Sequence, residues 1–487
     1  METDGREQSP SASDDGEIDP SRAGADRQRW FPSGSAPFVV VAVGVAVRLV
    51  WATVGARRPV MLADPGIYYR AALRIAHGDG YVSINGHPTA YYPPGYPWFL
   101  GSLQWLLERI GLGSHTIGAV AVTQAVLSGI AIAAVMVVGQ RLGGRRMAVI
   151  AGLMLAFWPN LVVHASLMLS ETLFVTLVSV SVAAIVAMLD ARGALVPWRA
   201  VVAGVSLGAA TLVRPQVLLV GASAVLAWVV SRIGVRDVLR RTAVLVVGVV
   251  VVVAPWTVRN AVVLGAFVPV STNDGDNLCV GFNPEATGYF TMPESCDTGE
   301  LYTAGRAAEL RRQGETRDRA LGFIRRHPDE LPELTWKKLW YTYRSDDDGI
   351  WASMSFGRDP WLWGWGRRAY DVVSTSYYAA AMLLAVAGLV VGVRIWWRER
   401  RSTPNGPLDP TMLVVVAGAI ASSLVPALFF GDPRFKVGAT PFYAVLAAVA
   451  VTALVDRVRV SLRPASAPPD AAAPDPATQP HGPWTPS

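Results

Sequence analysis

Residues 147–189 read MAVIAGLMLAFWPNLVVHASLMLSETLFVTLVSVSVAAIVAML, a stretch of 43 residues with one formal charge, that of Glu171. A transmembrane helix needs about 20 apolar residues to cross the hydrocarbon core of a bilayer. The stretch is therefore too long for one span and long enough for two. We expect a turn at 159–171, which places the carboxylate of Glu171 at the tip of a membrane hairpin, where polar groups are costly and often functional.

The whole chain has the composition of a multi-pass membrane protein. Of its 487 residues, 52% are hydrophobic and 16% are charged, whereas soluble domains carry about 25% charged residues. The net charge of +6 comes mostly from arginine, and in such a protein this excess indicates membrane orientation and not nucleic-acid binding. Ten apolar runs are candidate spans: 36–56, 117–139, 147–169, 172–189, 200–213, 217–230, 242–257, 372–393, 411–430 and 437–455.

The connections between these runs predict the topology. The positive-inside rule assigns short arginine-rich connections to the cytoplasm, and ten spans put all of them on the side of the N-terminus. The segment 96–112, YPWFLGSLQWLLERIGL, would reverse this arrangement as an eleventh span. Because it is short and carries Glu108 and Arg109 near its end, we interpret it as an interfacial helix.

This topology divides the chain into five parts. They are a disordered cytoplasmic tail at 1–34, an N-terminal transmembrane module at 35–257 with a first external loop at 57–116, an extracytoplasmic lobe at 258–371, C-terminal transmembrane helices at 372–456, and a second disordered tail at 457–487. Both cysteines, Cys279 and Cys296, fall in the lobe. A disulfide between them needs an oxidising compartment, and two free thiols are an equal alternative.

The first external loop opens on an acid, in the segment ADPGIYYRAALRIAHGDGY at 63–81. Asp64 before Pro-Gly is typical of a helix N-cap, and the apolar residues that follow at intervals of four predict an amphipathic interfacial helix. The same geometry holds a carboxylate at a fixed depth, where it can accept the proton of an attacking hydroxyl as a general base. The sequence pattern leaves both interpretations open.

Seven segments in order resemble the bacterial membrane glycosyltransferases of the type C fold (GT-C). They most resemble the group of glycosyltransferase family 39 with the protein O-mannosyltransferases and the aminoarabinose transferase of lipid A. The segments are ADPGIYYRAALRIAHGDGY, PTAYYPPGYPWFL, QRLGGRR, WPNLVVHASLMLSETLF, LVRPQ, APWTVRNAVVLGAFVPVSTNDGDNLCVGFNPEATGYF and GDPRFKVGATPFY, and they cover most of residues 45–445. The resemblance implies an all-α polytopic membrane fold with about ten transmembrane helices, and a sugar donor carried on a polyprenyl phosphate.

The resemblance also implies roles for individual residues. Asp64 would be the base that activates the acceptor, and Glu171 would assist catalysis or bind the acceptor or a metal. Relatives carry a lysine near the donor phosphate, before the proline of the segment that here reads YYPP at 91–94 without a lysine. Phosphate binding therefore falls to other cations. Our candidates are Arg259, Arg434 and Lys436, with Arg214 a weaker one; Arg259 has the alternative of anchoring its helix at the interface.

Further side chains have alternative interpretations. Tyr91, Tyr92 and Tyr96 form either an interfacial aromatic belt or the wall of a donor and acceptor pocket. Arg48 is predicted to snorkel from the first span to the outer interface, and the acidic run at 346–348 is predicted to be solvated. No cofactor is expected, because nucleotide fingerprints and metal-ligand spacings are absent from the sequence, and a divalent metal has no support.

The sequence therefore predicts an integral membrane glycosyltransferase of the cell envelope, a hexosyl or pentosyl transferase. It would move a sugar, with mannose as the candidate, from a polyprenyl-phosphate carrier to an acceptor hydroxyl on the extracytoplasmic face, with inversion at the anomeric carbon. Its partners would be the donor lipid, an unidentified acceptor and the bilayer, without nucleic acid. The alternatives are a transporter or flippase of lipid-linked sugars, which predicts repeats and broken helices in matching halves, and a non-catalytic scaffold.

Overall fold

The computed structural model of the protein describes residues 31–60, 63–188, 195–356, 362, 364–403 and 409–461. The two predicted tails lie outside these residues, except for 31–34 and 457–461. The described part is almost entirely helical and contains only two isolated β-bridges. Its α-helices are α1 (Ser35–Gly55), α2 (Asp64–Ala76), α3 (Gly95–Arg109), α4 (Thr116–Ala156), α5 (Pro159–His164), α6 (Glu171–Ala187), α7 (Pro197–Val213), α8 (Leu218–Val230), α9 (Val235–Leu264), α10 (Asp274–Gly281), α11 (Arg306–Arg326), α12 (Leu331–Tyr343), α13 (Asp348–Ser355), α14 (Trp365–Ser402), α15 (Thr411–Ser423), α16 (Val425–Leu428) and α17 (Thr440–Ser461).

Helix α4 consists of two antiparallel arms. Gly143 and Gly144 leave the helical region, and Gly144 has a φ of 74°, which glycine adopts without steric cost. The chain reverses there, because a Cβ built on Gly139 would lie 2.9 Å from the Cα of Ala148. The segment QRLGGRR is therefore the turn of a helical hairpin, as its arginines and glycines predict.

The second arm of α4 is interrupted before it reaches Glu171. It ends at Ala156, and the last carbonyls of a helix have no partner within the helix. The guanidinium of Arg48 donates hydrogen bonds to the carbonyls of Ala156 (2.8 Å) and Leu155 (3.2 Å). Arg48 is 1% exposed, so the prediction that it snorkels to the interface is wrong. Inside an apolar bundle no water is available to donate hydrogen bonds to these carbonyls, so the guanidinium of Arg48 donates them instead.

The apolar helices agree with the predicted runs. Six helical segments are long and apolar enough to cross a membrane, and one of them, Gly113–Ala156, contains the hairpin. With both arms of the hairpin and three shorter apolar helices, the structure has an apolar helical segment at each of the ten predicted runs. Helix α3 is not among the six, and it packs with Gly101 against the side chain of Ile75 in α2. The chain is a multi-pass membrane protein.

The arginine-rich connections meet at one end of the bundle. Arg146 forms an ion pair of 2.6 Å with Asp456, which joins the hairpin turn to the end of α17. Gly34, just before α1, lies beside the guanidinium of Arg145. The helices α2, α3 and α5 and the lobe lie at the opposite end. Arg192 and its neighbours at 189–194 are outside the described residues.

The lobe is a small helical unit closed by a disulfide. Helix α9 continues to Leu264 and α14 begins at Trp365, so the predicted limits at 258 and 371 fall inside helices. Cys279 and Cys296 are bonded to each other. They share a buried core with the side chains Phe282, Ala320, Phe323 and Leu334.

A buried carboxylate attaches the lobe to the first external loop. Glu309 in α11 is 1% exposed. It accepts hydrogen bonds from the hydroxyls of Thr89 (2.6 Å) and Thr272 (2.6 Å) and from the backbone N–H of Ala90 (2.9 Å). Breaking these bonds would leave a buried charge without partners, which is costly. The lobe and the loop therefore form one wall at this end of the bundle.

Candidate active site

Four charged side chains from four elements meet at the end of the bundle opposite the arginine-rich connections. Arg434 Nη1 lies 3.0 Å from Asp64 Oδ2, and Arg434 Nε lies 2.6 Å from Glu171 Oε1. Arg214 Nη2 contacts the same Oε1 of Glu171 at 2.6 Å. We call this alternating series, Asp64–Arg434–Glu171–Arg214, the charge chain. It joins residues up to 370 positions apart in sequence.

Each member of the charge chain stands at a helix end because of the local sequence. Asp64 and Glu171 are the first residues of α2 and α6. Arg214 follows α7 in an extended conformation before Pro215, as expected for a residue preceding proline. Arg434 lies in the 3₁₀ helix Pro433–Ala439, where the carboxylate of Asp432 accepts its backbone N–H at 2.8 Å.

The two carboxylates of the charge chain differ in their access to solvent. The side chain of Glu171 is 1% exposed and lies between two guanidinium groups. The side chain of Asp64 is 29% exposed. Asp64 is therefore the carboxylate of the charge chain that solvent can reach, and Glu171 contacts both arginines. Asp64 is the first residue of α2 and Ala63 is the N-cap, so the prediction that Asp64 is the N-cap is wrong.

The two arginines of the chain are suited to an anion. Arg434 and Arg214 keep 18% and 14% of their side chains exposed. Guanidinium groups present several N–H donors in a plane and bind phosphate strongly. Because Glu171 holds both of them, they form one cationic surface next to Asp64.

Tyr92 completes the surroundings of Asp64. Its hydroxyl donates to Asp64 Oδ1 at 3.4 Å, and the ring of Tyr68 packs edge-on against it with ring centres 5.6 Å apart. Burial and the negative charge of Asp64 raise the pKa of Tyr92 well above its ordinary value. The phenol therefore stays protonated and acts as a hydrogen-bond donor at this position.

The two other tyrosines occupy different places. Tyr91 stacks on Tyr302 of the lobe with ring centres 3.7 Å apart, and its hydroxyl donates to Asp276. Burial and Asp276 raise the pKa of the Tyr91 phenol well above its ordinary value. Tyr96 is 1% exposed, inside the bundle, and its hydroxyl donates to Gln124. Only Tyr92 contacts Asp64 directly among the three, and Tyr302 is a member of this aromatic wall that the sequence reasoning missed.

The structure places Arg259 and Lys436 outside the charge chain. Arg259 donates to the carbonyls of Thr89 (2.8 Å) and Tyr81 (2.7 Å), and its guanidinium lies over the ring of Trp256. It therefore holds the first external loop. Lys436 is 2% exposed, and its ammonium pairs with Asp346 and not with an acid of the charge chain.

Behind the charge chain lies a second set of polar residues, which we call the buried polar network. Its members are Trp158, Asn160, His164, Asp346, Asp348 and Lys436. Asp346 and Asp348 are 2% and 5% exposed, so the prediction of a solvated acidic run is wrong for these two. Burial raises the pKa of Asp346 despite the opposing charge of Lys436, whereas the hydrogen bond and charge of His164 outweigh burial and lower that of Asp348.

A sequence signal for this network did exist. Asn160 and His164 are polar groups within the apolar stretch 147–189, where each needs a partner. The acidic run at 346–348 resembles a surface segment in isolation, so their pairing becomes visible only in three dimensions.

No group of three or more His, Cys, Asp or Glu side chains suited to a metal occurs among the described residues. A cavity of about 760 Å³ lies between the lobe and the first external loop. Its lining includes His87, Val263, Leu301, Arg306 and Arg311 and none of the residues of the charge chain. We take the charge chain, and not this cavity, as the candidate site because it brings a partly exposed carboxylate together with two guanidinium groups.

Comparison with known proteins identifies the fold. Residues 91–258 match the model of the dolichyl-phosphate-mannose-protein mannosyltransferase family. No curated protein sequence matches the chain. The resemblance to GT-C glycosyltransferases of the mannosyltransferase group, predicted from seven segments, is thus confirmed by the family match over residues 91–258 and by the fold shared with archaeal oligosaccharyltransferases.

Among solved structures, the apo oligosaccharyltransferase of Archaeoglobus fulgidus shares 14% identity and a TM-score of 0.53, over 88% of this chain and 51% of that chain. The complex of the same organism's oligosaccharyltransferase AglB with an inhibitory peptide and a dolichol-phosphate has 15% identity and a TM-score of 0.51, with coverages of 88% and 51%. ArnT from Cupriavidus metallidurans bound to undecaprenyl phosphate has 17% identity, a TM-score of 0.49 and coverages of 87% and 61%. The chain thus spans about half the length of the archaeal enzymes.

Proposed function

We propose that the protein is a membrane glycosyltransferase that transfers a sugar from a polyprenyl-phosphate carrier to an acceptor hydroxyl. One observation carries the proposal: a partly exposed carboxylate, that of Asp64, pairs with Arg434, and a buried acid holds Arg434 and Arg214 together. A base next to an anion-binding surface is what this displacement requires. Mannose is the candidate sugar, because the family that matches residues 91–258 is named for a mannose donor.

The geometry suggests how the reaction would run. The acceptor oxygen attacks the anomeric carbon while its proton passes to a carboxylate oxygen of Asp64. The bond from the anomeric carbon to the carrier phosphate breaks, and the phosphate leaves as an anion that Arg434 and Arg214 bind. Attack opposite the leaving group inverts the configuration, and no general acid is needed because the leaving group is already charged.

The extracytoplasmic placement of the site is part of the proposal. The charge chain lies at the end of the bundle opposite the arginine-rich connections, which the positive-inside rule assigns to the cytoplasm. The lobe next to the site contains a disulfide, a bond that persists in oxidising compartments. Both features support an acceptor outside the cytoplasm.

The lipid nature of the donor is supported by the shared fold. The solved AglB complex contains a dolichol-phosphate, which is a polyprenyl-type phosphate. A transporter would instead use the free ends of broken helices to hold its substrate. Here the helix break after Ala156 has its carbonyls occupied by Arg48, so this end is not available to a substrate.

The test compares purified wild type with Asp64→Asn, using radiolabelled polyprenyl-phosphate mannose and a crude envelope extract as acceptor. Loss of a general base lowers rates about 10²- to 10⁴-fold, and we expect a loss in that range with unchanged folding. The matched control is Asp79→Asn, because Asp79 lies just after the same helix with its side chain 55% exposed. Equal transfer by Asp64→Asn and wild type, or no transfer by wild type from a panel of lipid-linked sugars, would contradict the proposal.

A further inference from the structure

Lys436 is fixed inside the protein two residues after Arg434. Its ammonium donates to the carbonyls of Ser345 (2.7 Å) and Pro433 (3.2 Å), and it lies 3.1 Å from Asp346 Oδ1. A buried ammonium without partners is costly, so all three acceptors constrain where the lysine can sit. Rotation or displacement of the short 3₁₀ helix that carries Arg434 would break these bonds.

Asp346 is held in turn by residues close to Glu171 in sequence. Its carboxylate accepts hydrogen bonds from Trp158 Nε1 (2.8 Å) and Asn160 Nδ2 (3.1 Å). Both residues belong to the apolar stretch 147–189, which also contains Glu171. The buried polar network therefore joins the segment of the sequence that supplies Arg434 to the segment that supplies Glu171, through contacts that do not involve the charge chain itself.

A second acid closes the network. Asp348 accepts from Asn160 Nδ2 (2.7 Å) and contacts His164 Nε2 (2.9 Å). The Asn160 side-chain oxygen accepts the backbone N–H of Gly349 at 2.9 Å. Asn160 thus uses its donors and its acceptor on the segment 346–349, which fixes the position of that segment against the membrane helices.

Arg434 needs this precision because it bonds two acids at once. Its Nη1 donates to Asp64 at 3.0 Å and its Nε donates to Glu171 at 2.6 Å. A hydrogen bond weakens when the distance between donor and acceptor grows by a few tenths of an ångström. We propose that the buried ion pair between Lys436 and Asp346 positions Arg434 for the donor phosphate, and that Lys436 is a positioning residue and not a phosphate ligand. This inference rests on the proposed function.

The first experiment measures donor KM and kcat for Lys436→Met. Misplacement of a binding group by about 1 Å costs up to about 100-fold, so we expect kcat/KM for the donor to fall at least tenfold, mainly through KM. The matched control is Lys338→Met. Lys338 is also wholly buried, with its ammonium over the ring of Phe282 and no hydrogen-bond partner among the described residues, but it is not part of the network. Its variant should retain both wild-type constants.

A second variant separates positioning from simple stability. In the double variant Lys436→Met/Asp346→Asn both buried charges are removed, so no uncompensated charge remains. We expect its unfolding temperature to return toward that of wild type while its donor KM stays raised. Recovery of the wild-type KM together with stability would overturn the inference. If Lys436→Met alone does not fold, the double variant decides the question.

A double-mutant cycle tests whether Lys436 acts through Arg434. If it does, Lys436→Met should change donor KM much less in an Arg434→Lys background than in wild type, because coupled residues are not additive. Full additivity would overturn the inference. Absence of transfer by wild type refutes the proposed function and the inference with it, whereas active wild type with a fully active Lys436→Met refutes the inference alone.

Discussion

The two acids of the candidate site are of the same chemical kind and differ in their surroundings. Asp64 keeps about a third of its side chain exposed, whereas Glu171 is enclosed by two guanidinium groups. In the proposed function, the accessible acid exchanges a proton with the acceptor, and the enclosed acid holds the two arginines. Both acids are the first residues of their helices, so their proposed roles differ because their side chains differ in exposure.

The site residues differ in how far sequence could identify them. Asp64, Glu171, Arg214 and Arg434 are charges next to long apolar segments, so their cost in a membrane made them visible. Arg259 and Lys436 gave the same signal, but the structure uses their donors on backbone carbonyls. A charge near a membrane must find a partner, and sequence does not reveal whether the partner is protein or substrate.

The capping of the helix break by Arg48 leads to a stability prediction. Arg48→Met leaves the carbonyl of Ala156 without its donor in an apolar environment, and an orphaned group of this kind costs about 1–3 kcal/mol. The carbonyl of Leu155 keeps only the 3.4 Å hydrogen bond from the backbone N–H of Trp158. We expect a clear fall in the unfolding temperature in detergent. Arg58→Met, at an exposed position after the same helix, should leave it unchanged. A wild-type unfolding temperature for Arg48→Met would contradict this account.

Lys338 makes stability depend on pH in a predictable direction. Burial lowers its pKa to about 7, whereas an exposed lysine titrates near 10.4. Below about pH 7 both states are protonated and the folded state bears the full cost of the buried charge. Between about pH 7 and 10.4 the unfolded state binds more protons, so the free energy of unfolding contributed by this group rises with pH.

The variant Lys338→Met removes this dependence. It should unfold at a higher temperature than wild type near pH 7, and the difference should shrink as pH approaches 10. Thermal unfolding of both proteins across this range measures it. A difference that does not change with pH would show that the amine is not buried in its neutral form.

At the scale of elements, close helix packing depends on particular glycines. A Cβ on Gly388 in α14 would overlap the carbonyl oxygen of Leu446 in α17, whereas a Cβ on Gly118 in α4 would meet nothing within 4 Å. Gly388→Ala should destabilise the protein by about 1–3 kcal/mol because the helices must separate. Gly118→Ala should be neutral or stabilising by up to about 1 kcal/mol. Thermal unfolding of the pair tests this, and equal effects would contradict it.

The elements themselves were largely predictable from hydropathy. Each of the ten predicted runs corresponds to an apolar helical segment, because burial in lipid demands a helix of apolar residues. The ends were less predictable. Helix α9 continues past the apolar run to Leu264, and its last turns carry Arg259 and Asn260, which hydrogen-bond to protein groups. Tertiary partners extend a helix where hydropathy alone would end it.

For the whole molecule, charge asymmetry predicts orientation. Cys279 and Cys296 are bonded to each other, so a single introduced cysteine is a specific label. In intact cells, a membrane-impermeant maleimide should label Asp79→Cys, in the first external loop, and not Arg401→Cys, at the end of α14. Permeabilised cells should show labelling of both. Labelling of Arg401→Cys alone from outside would reverse the proposed orientation.

The overall fold was predictable from seven sequence segments that occur in a fixed order along the chain, whereas the acceptor was not predictable. Motifs spread over residues 45–445 indicated the fold, and the matched family model covers 91–258. That match ends before the lobe, which shares a wall with the site through Tyr302 and Glu309. Contacts of this kind depend on how the lobe folds onto the loop, which no local pattern in the sequence reveals.

Only one of the three lysines in the chain has its amine at the surface. Lys338 and Lys436 are enclosed, while the side chain of Lys337 in α12 is 47% exposed and pairs with Glu333. Amine-reactive dyes and cross-linkers should therefore modify the folded protein at a single lysine, on the lobe. Unfolding exposes two more. The stoichiometry of lysine modification is thus a native reporter of folding in detergent, and Lys337 offers a fluorophore position on a lysine that is already present.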